Sequence, residues 1–243
     1  MLDTTGISGG FYAVNDVEVS SDGIIYVANL TLNASTSSFK VYAFSSEAAA
    51  PVEVINYTSA TNMRLGDKFT VTGSASDNSI VIWVPSSLAS AGAGSLVKFT
   101  TIDNGATFTP TILPIASTAS SASVGPLPDT SFYHNSHGTS PVKYSSDGTA
   151  GGSIPTGVVS TSGSATRFLT TFDGADYLAV NELLTTTNNA IIIGVPGGVP
   201  ASATEFGTTP LLGSTSAGGL GDLSVQKVND YVFNIYVLAT NNG

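Results

Sequence analysis

Charged residues make up only 10% of this 243-residue chain, against roughly 25% for an average soluble domain. Lys plus Arg is 7 and Asp plus Glu is 17, a formal net charge of −10, so too few cations are present to neutralise a nucleic-acid backbone or to hold an anionic membrane surface. There is no cysteine, which excludes a disulfide framework, a thiolate zinc site and thiol chemistry.

Solubility must then rest on Ser, Thr, Asn and Gly, a surface chemistry common among secreted and cell-surface proteins. No run of about 18 apolar residues is present, so no membrane insertion is expected. The N-terminus, MLDTTGISGG, lacks the basic and apolar regions of a signal peptide. Sequons at Asn29-Leu30-Thr31, Asn33-Ala34-Ser35 and Asn56-Tyr57-Thr58 are compatible with glycosylation outside the cell.

In chain order, strands are predicted at Asp16–Val19 and Ile24–Leu30 around the turn Ser20-Ser21-Asp22-Gly23, because Asp-Gly between alternating apolar runs is a strong hairpin signal. FKVYAF (Phe39–Phe44) alternates, with Phe39, Val41 and Ala43 on one face and Lys40, Tyr42 and Phe44 on the other, and Val52–Tyr57 is a fourth strand. The second repeat predicts strands at Lys68–Thr72, Ser79–Val84, Leu96–Thr101 and Thr107–Leu113, the last an edge strand because Pro110 has no N–H to donate. The third repeat is degenerate, with strands expected at Thr130–Asn135, Pro141–Ser145 and Gly157–Thr161 and a turn at Ser146-Asp147-Gly148. The fourth predicts Arg167–Phe172, a turn at Asp173-Gly174, Asp176–Val180 and the wholly apolar AIIIGV (Ala190–Val195), then Thr204–Phe206 and Pro210-Leu211-Leu212 where a fourth strand belongs. The chain ends on a hairpin, Leu223–Val228 and Tyr231–Ala239, and the turn Asn241-Asn242-Gly243.

Leu65-Gly66-Asp67 and Leu220-Gly221-Asp222 mark a common phase, with Val14-Asn15-Asp16 in the same place of the first repeat. Helical periodicity is absent. Repeats of about 50 residues, each a four-stranded antiparallel meander, point to an all-β fold, a β-propeller of about five blades, over an irregular β-sandwich. The reading is one domain, 1–243, with repeats at roughly 11–62, 63–118, 119–162, 163–218 and 219–243 plus 1–10. The runs VNDVEVSSDGIIYVANL (Val14–Leu30), FKVYAF and RLGDKFTVTG (Arg64–Gly73) resemble secreted propeller-like domains of unknown function from gut-type and environmental bacteria. That resemblance implies a propeller and an extracellular or cell-surface location, and it carries no catalytic residues over.

Chemistry-bearing patterns are sparse. His134 and His137, spaced by three, are weak candidates for a metal, since no Cys or further His completes a site and strand residues i and i+3 face opposite ways. Asp22, Asp103, Asp147 and Asp173 fall in turns, and Asp16, Asp67 and Asp222 at one repeated position, so these carboxylates read as fold residues rather than as an acid–base pair. No cofactor is implied, and a carbohydrate-active enzyme is the less favoured reading. Tyr26, Tyr42, Trp83, Phe132, Tyr133, Tyr177 and Tyr236 hint at ring-mediated carbohydrate binding, though most of them are expected to fill space between blades.

The last blade is incomplete. Its closure is expected to involve Leu2, Asp3, Thr4 and Thr5 or another chain, set against Tyr231, Phe233, Ile235, Tyr236, Val237 and Leu238. A fragment of a longer chain or a small blade would also account for the gap. Two functions follow as expectations: a non-catalytic extracellular module binding a surface glycan or protein, and a structural subunit polymerising with itself by strand complementation.

Overall fold

The computed structural model describes residues 2–87, 96–115, 122–136, 139–155, 158, 166–172, 177–183, 188–196, 200–211, 220–229 and 232–239. Among these, regular structure is β-strand apart from a 3-10 turn at Pro200–Ser202, and no helix is long and apolar enough to cross a membrane. The chain divides into two compact units, Met1–Ser120 and Ser121–Gly243.

In the first unit, β1 (Tyr12–Val19), β2 (Ile25–Leu30), β3 (Phe39–Phe44) and β4 (Val52–Tyr57) form a sheet in the order β1-β2-β3-β4. The alternation of β3 sorts as its sequence dictates. Phe39 and Val41 join a core with Tyr26, Ala28, Ile55, Phe69, Ile82 and Phe99, while Tyr42 and Phe44 pack with Val27 on the other face. The next sheet contains β5 (Arg64–Leu65), β6 (Thr70–Thr72), β7 (Val81–Ser87), β8 (Leu96–Thr100) and β9 (Thr109–Leu113), in the order β5-β7-β8-β9 with β6 also on β7. β5 and β6 are thus two pieces of one broken strand. The break falls at Gly66, whose φ of +93° suits glycine, and where a Cβ would lie 1.9 Å from the Asn29 carbonyl oxygen. Pro110 sits on β9 at the sheet edge, where a missing N–H costs no ladder bond.

The second unit holds β10 (Ser123–Pro126), β11 (Phe132–Asn135), β12 (Val142–Tyr144) and β13 (Ala150–Ser153) in sequence order, then β14 (Thr166–Phe172), β15 (Tyr177–Leu183), β16 (Asn188–Gly194) and β17 (Thr204–Leu211) likewise. Leu127, Tyr133, Ile154, Leu169, Leu178, Val180, Ile191 and Ile193 form one core between these sheets. The last pair, β18 (Leu220–Asn229) and β19 (Val232–Ala239), is a two-stranded sheet whose Leu223 packs on Ala179. Successive antiparallel meanders of this kind are the blades of a β-propeller.

The third repeat departs from expectation in β10 (SVGP) and β13 (AGGS), strands without apolar alternation. Of the strand expected at 157–161 only Val158 is described, in a turn, and the fourth repeat's turn at Asp173-Gly174 lies outside the described residues. Thr204–Leu211 is one strand rather than two short pieces.

Candidate functional site

Most groups that attract attention in the sequence are spent on the fold. Asp16 Oδ2 accepts from the Phe69 N–H at 2.8 Å, and Lys68 Nζ sits 3.0 Å from Glu18 Oε1 and 3.7 Å from Asp16 Oδ1, with the Lys68 side chain 5% exposed. Asp67 takes a two-pronged contact from Arg64, and the Asp222 side chain lies outside the described set. The turn aspartates repeat one local device. Ser20, Thr101 and Ser145 each donate a hydroxyl to the aspartate two residues on, and this bonding holds Asp22, Asp103 and Asp147 at about 2. Such acids are ionised at neutral pH, the wrong direction for a general acid. Asp22 reaches further, accepting from Ser74 Oγ and Ser76 N in the next sheet's turn.

His134 lies on β11, buried beside the Tyr144 ring at 6.2 Å, its Nε2 without a hydrogen-bond partner and its pKa pushed down to about 4 by burial. His137 lies outside the described residues, and among those described no group of three His, Asp or Glu is placed to hold a metal. Asn29 corrects an expectation. It is fully buried, its amide donating to Ser38 O and accepting from Lys40 N, so the sequon nitrogen is inaccessible to a glycan. Asn33 is half-buried, its Oδ1 accepting from Ser35, and Asn56 is exposed and donates to Glu53.

The N-terminal residues lie against the first sheet. Leu2 and Ile7 pack on Val27, Tyr42 and Phe44, the Tyr42 hydroxyl bonds the Ser8 backbone, and Asp3, Thr4 and Thr5 form an exposed turn. On β19, Ile235 and Tyr236 are exposed and Phe233 half-buried, while the Val237 and Leu238 side chains and all of Tyr231 fall outside the described set. β19 bonds β18 and, among the described residues, no other strand. Tyr236 Oη donates to Gln226 Oε1 at 2.9 Å across that pair.

Of the seven rings singled out in the sequence, Tyr26, Tyr42, Trp83, Phe132 and Tyr133 are buried, and Tyr177 and Tyr236 keep solvent contact. The structure adds rings that the sequence reading passed over. Phe11 and Tyr12 are 61% and 54% exposed, with ring centroids 4.7 Å apart at 74°. Val14, Val17 and Val19 on β1 are exposed as well. Register explains the last two: Val17 pairs with Val27 and Val19 with Ile25, so they share the face on which Leu2 and Ile7 cover β2 and β3 but leave β1 open, whereas Tyr12, opposite Leu30, lies on the other face with Asp16.

The family model for a domain of unknown function, DUF4623, matches residues 1–195. Among solved structures, a DUF4623 family protein from Bacteroides eggerthii superposes with a TM-score of 0.68 at 15% identity, over 99% of this chain and 59% of that one. The Dos1 propeller gives 0.52 at 12% identity, over 92% and 56%. These identities show the fold alone, and the chain spans less than three-fifths of either structure's length. No curated protein matches. With its successive meander sheets and a family model covering most of its length, the chain is a β-propeller protein that belongs to the DUF4623 family.

Proposed function

We propose that this protein is a non-catalytic binding module, extracellular or displayed on the cell surface, that engages a glycan or a protein. The observation that carries the reading is the contacting pair Phe11 and Tyr12 at the start of β1, 61% and 54% exposed, large apolar rings held in solvent. Exposed apolar groups clustered in this way mark interaction surfaces. The lowered carboxylate pKa values and the use of Asp16, Asp22 and Asp103 in junctions and turns support a non-catalytic role. A surface poor in charge and rich in hydroxyls supports the location. Neither nucleic acid nor a bilayer interior suits a net charge of −10. The test is a glycan array and a pull-down from surface extracts with the purified chain; hits that vanish in Phe11→Ala/Tyr12→Ala support the reading, and no hits in either format overturn it.

A second reading is a structural subunit of an extracellular filament. It is favoured by β19, which among the described residues pairs with β18 alone, because a strand arriving from another copy satisfies an open backbone edge and links subunits. Monomers alone by size-exclusion chromatography and negative-stain microscopy at high concentration would sink it.

A further inference from the structure

The β16–β17 pair carries a second exposed ring site, and it is built. On β17 the ladder runs Ile193↔Glu205 and then Ile192↔Gly207, so Phe206 is the extra residue of a bulge. A bulge re-aims the side chain it carries. Here Phe206 is 65% exposed, its ring folded over Gly194, where a Cβ would lie 2.1 Å from Phe206 Cε2. Tyr177 is the direct cross-strand partner of Gly194, and its ring stands 5.8 Å from that of Phe206 at 62°. Bulge, glycine seat and tyrosine buttress together hold the phenyl ring at the surface, fixed in position and open to solvent.

We infer that Tyr177 and Phe206 form a subsite for one pyranose ring of a neutral polysaccharide. The inference rests on the binding-module reading and names its ligand class at this second location. Three arguments favour a sugar. The face of an aromatic ring is electron-rich and attracts the polarised C–H groups of a sugar face. Residues Thr204, Glu205 and Gly207 beside the ring are exposed and polar or small, a setting for hydroxyls rather than for apolar protein. Size decides between the classes: two side chains offer at most about 500 Å², far below the roughly 1,600 Å² of a stable protein interface, but ample for one sugar ring. A net charge of −10 disfavours acidic polysaccharides.

The experiment is a saturation-transfer NMR and calorimetric titration of the full chain with neutral gluco-, xylo-, manno- and galacto-oligosaccharides. Wild type is expected to bind at least one series with a Kd of roughly millimolar order. Phe206→Ala is expected to weaken it about tenfold or more, as loss of one stacking ring does. Gly194→Ala is the sharper variant, because it leaves both rings in the chain and displaces Phe206 from its seat. It too is expected to lose binding, with an unfolding midpoint near that of wild type. Saccharide binding unchanged in both variants overturns this subsite while leaving the module reading intact. Absence of saccharide binding by wild type overturns it as well, and a protein captured through Phe206 assigns the ring pair to another class of ligand and overturns the sugar.

Discussion

The two units solve one problem, joining the first strand of a blade to the next blade, with opposite chemistry. In the first unit the junction is ionic: Asp16 and Glu18 on β1 clamp a buried Lys68, and Asp16 also binds the Phe69 N–H. In the second it is neutral and tight. Ser123 Oγ accepts from the Leu169 N–H at 2.9 Å and donates to Asn135 Oδ1, Thr171 Oγ1 donates to Pro126 O, and a Cβ on Gly125 would meet Thr171 Cγ2 at 2.8 Å. The same kind of connection, first strand of one blade to first strand of the next, is thus made by ions in one unit and by neutral groups in the other.

The largest expected effect comes from Lys68→Met. It leaves Asp16 and Glu18 facing each other without their cation, and breaking a buried pair from one side costs about 3–5 kcal/mol. Urea unfolding followed by fluorescence should show the first unit losing stability. If the transition is unmoved, the ionic clamp is ornamental.

Acid should separate the units next. His134 has a folded pKa of about 4 against about 6.5 for free histidine. The unfolded chain therefore takes up a proton between pH 6.5 and 4 that the folded one refuses. Stability is full above that window, falls by on the order of 3 kcal/mol across it, and is flat in this respect below it. Both histidines lie in the second unit, whereas the first unit's Asp22 and Asp103, at about 2, give up stability only as pH falls from their ordinary value of 3.8. Thermal melts from pH 7 to 4 should show the second unit weakening first, and His134→Phe should flatten the slope; an unchanged slope would mean that another group titrates.

Ser123→Ala should cost less, about 1–3 kcal/mol, by orphaning the buried Leu169 N–H. The loss should be confined to the second unit, read by amide hydrogen exchange at β10 and β14. Equal loss in both units would contradict independent junctions.

These junctions also show what the sequence made legible. β3 and β4 match their expected bounds, β3 because its alternation reports two covered faces, and the Asp-Gly turns at Gly23 and Gly148 announce themselves through the residues that need positive φ. The repeated aspartate points to Asp16 as a fold residue, although its counterpart Asp67 serves a local contact with Arg64 instead. The neutral junction was invisible: Ser123-Val124-Gly125-Pro126 has no apolar period, because Gly125 must be small for Leu169 and Thr171 to approach. Buried Tyr26 and exposed Phe206 are likewise indistinguishable by residue type. What separates them is register, a bulge and the space over one glycine, which are set by pairing between distant segments.

We propose that buried rings here serve the fold and exposed rings serve a ligand. The most direct measurement puts both on one protein: ligand affinity and urea midpoint for Phe11→Ala/Tyr12→Ala beside Phe39→Ala. The account predicts that the first pair loses ligand with its midpoint unchanged, and that Phe39→Ala, stacked on Phe99 in the core, loses about 3–5 kcal/mol of stability. A double variant that unfolds like Phe39→Ala, or that binds as wild type does, would contradict it.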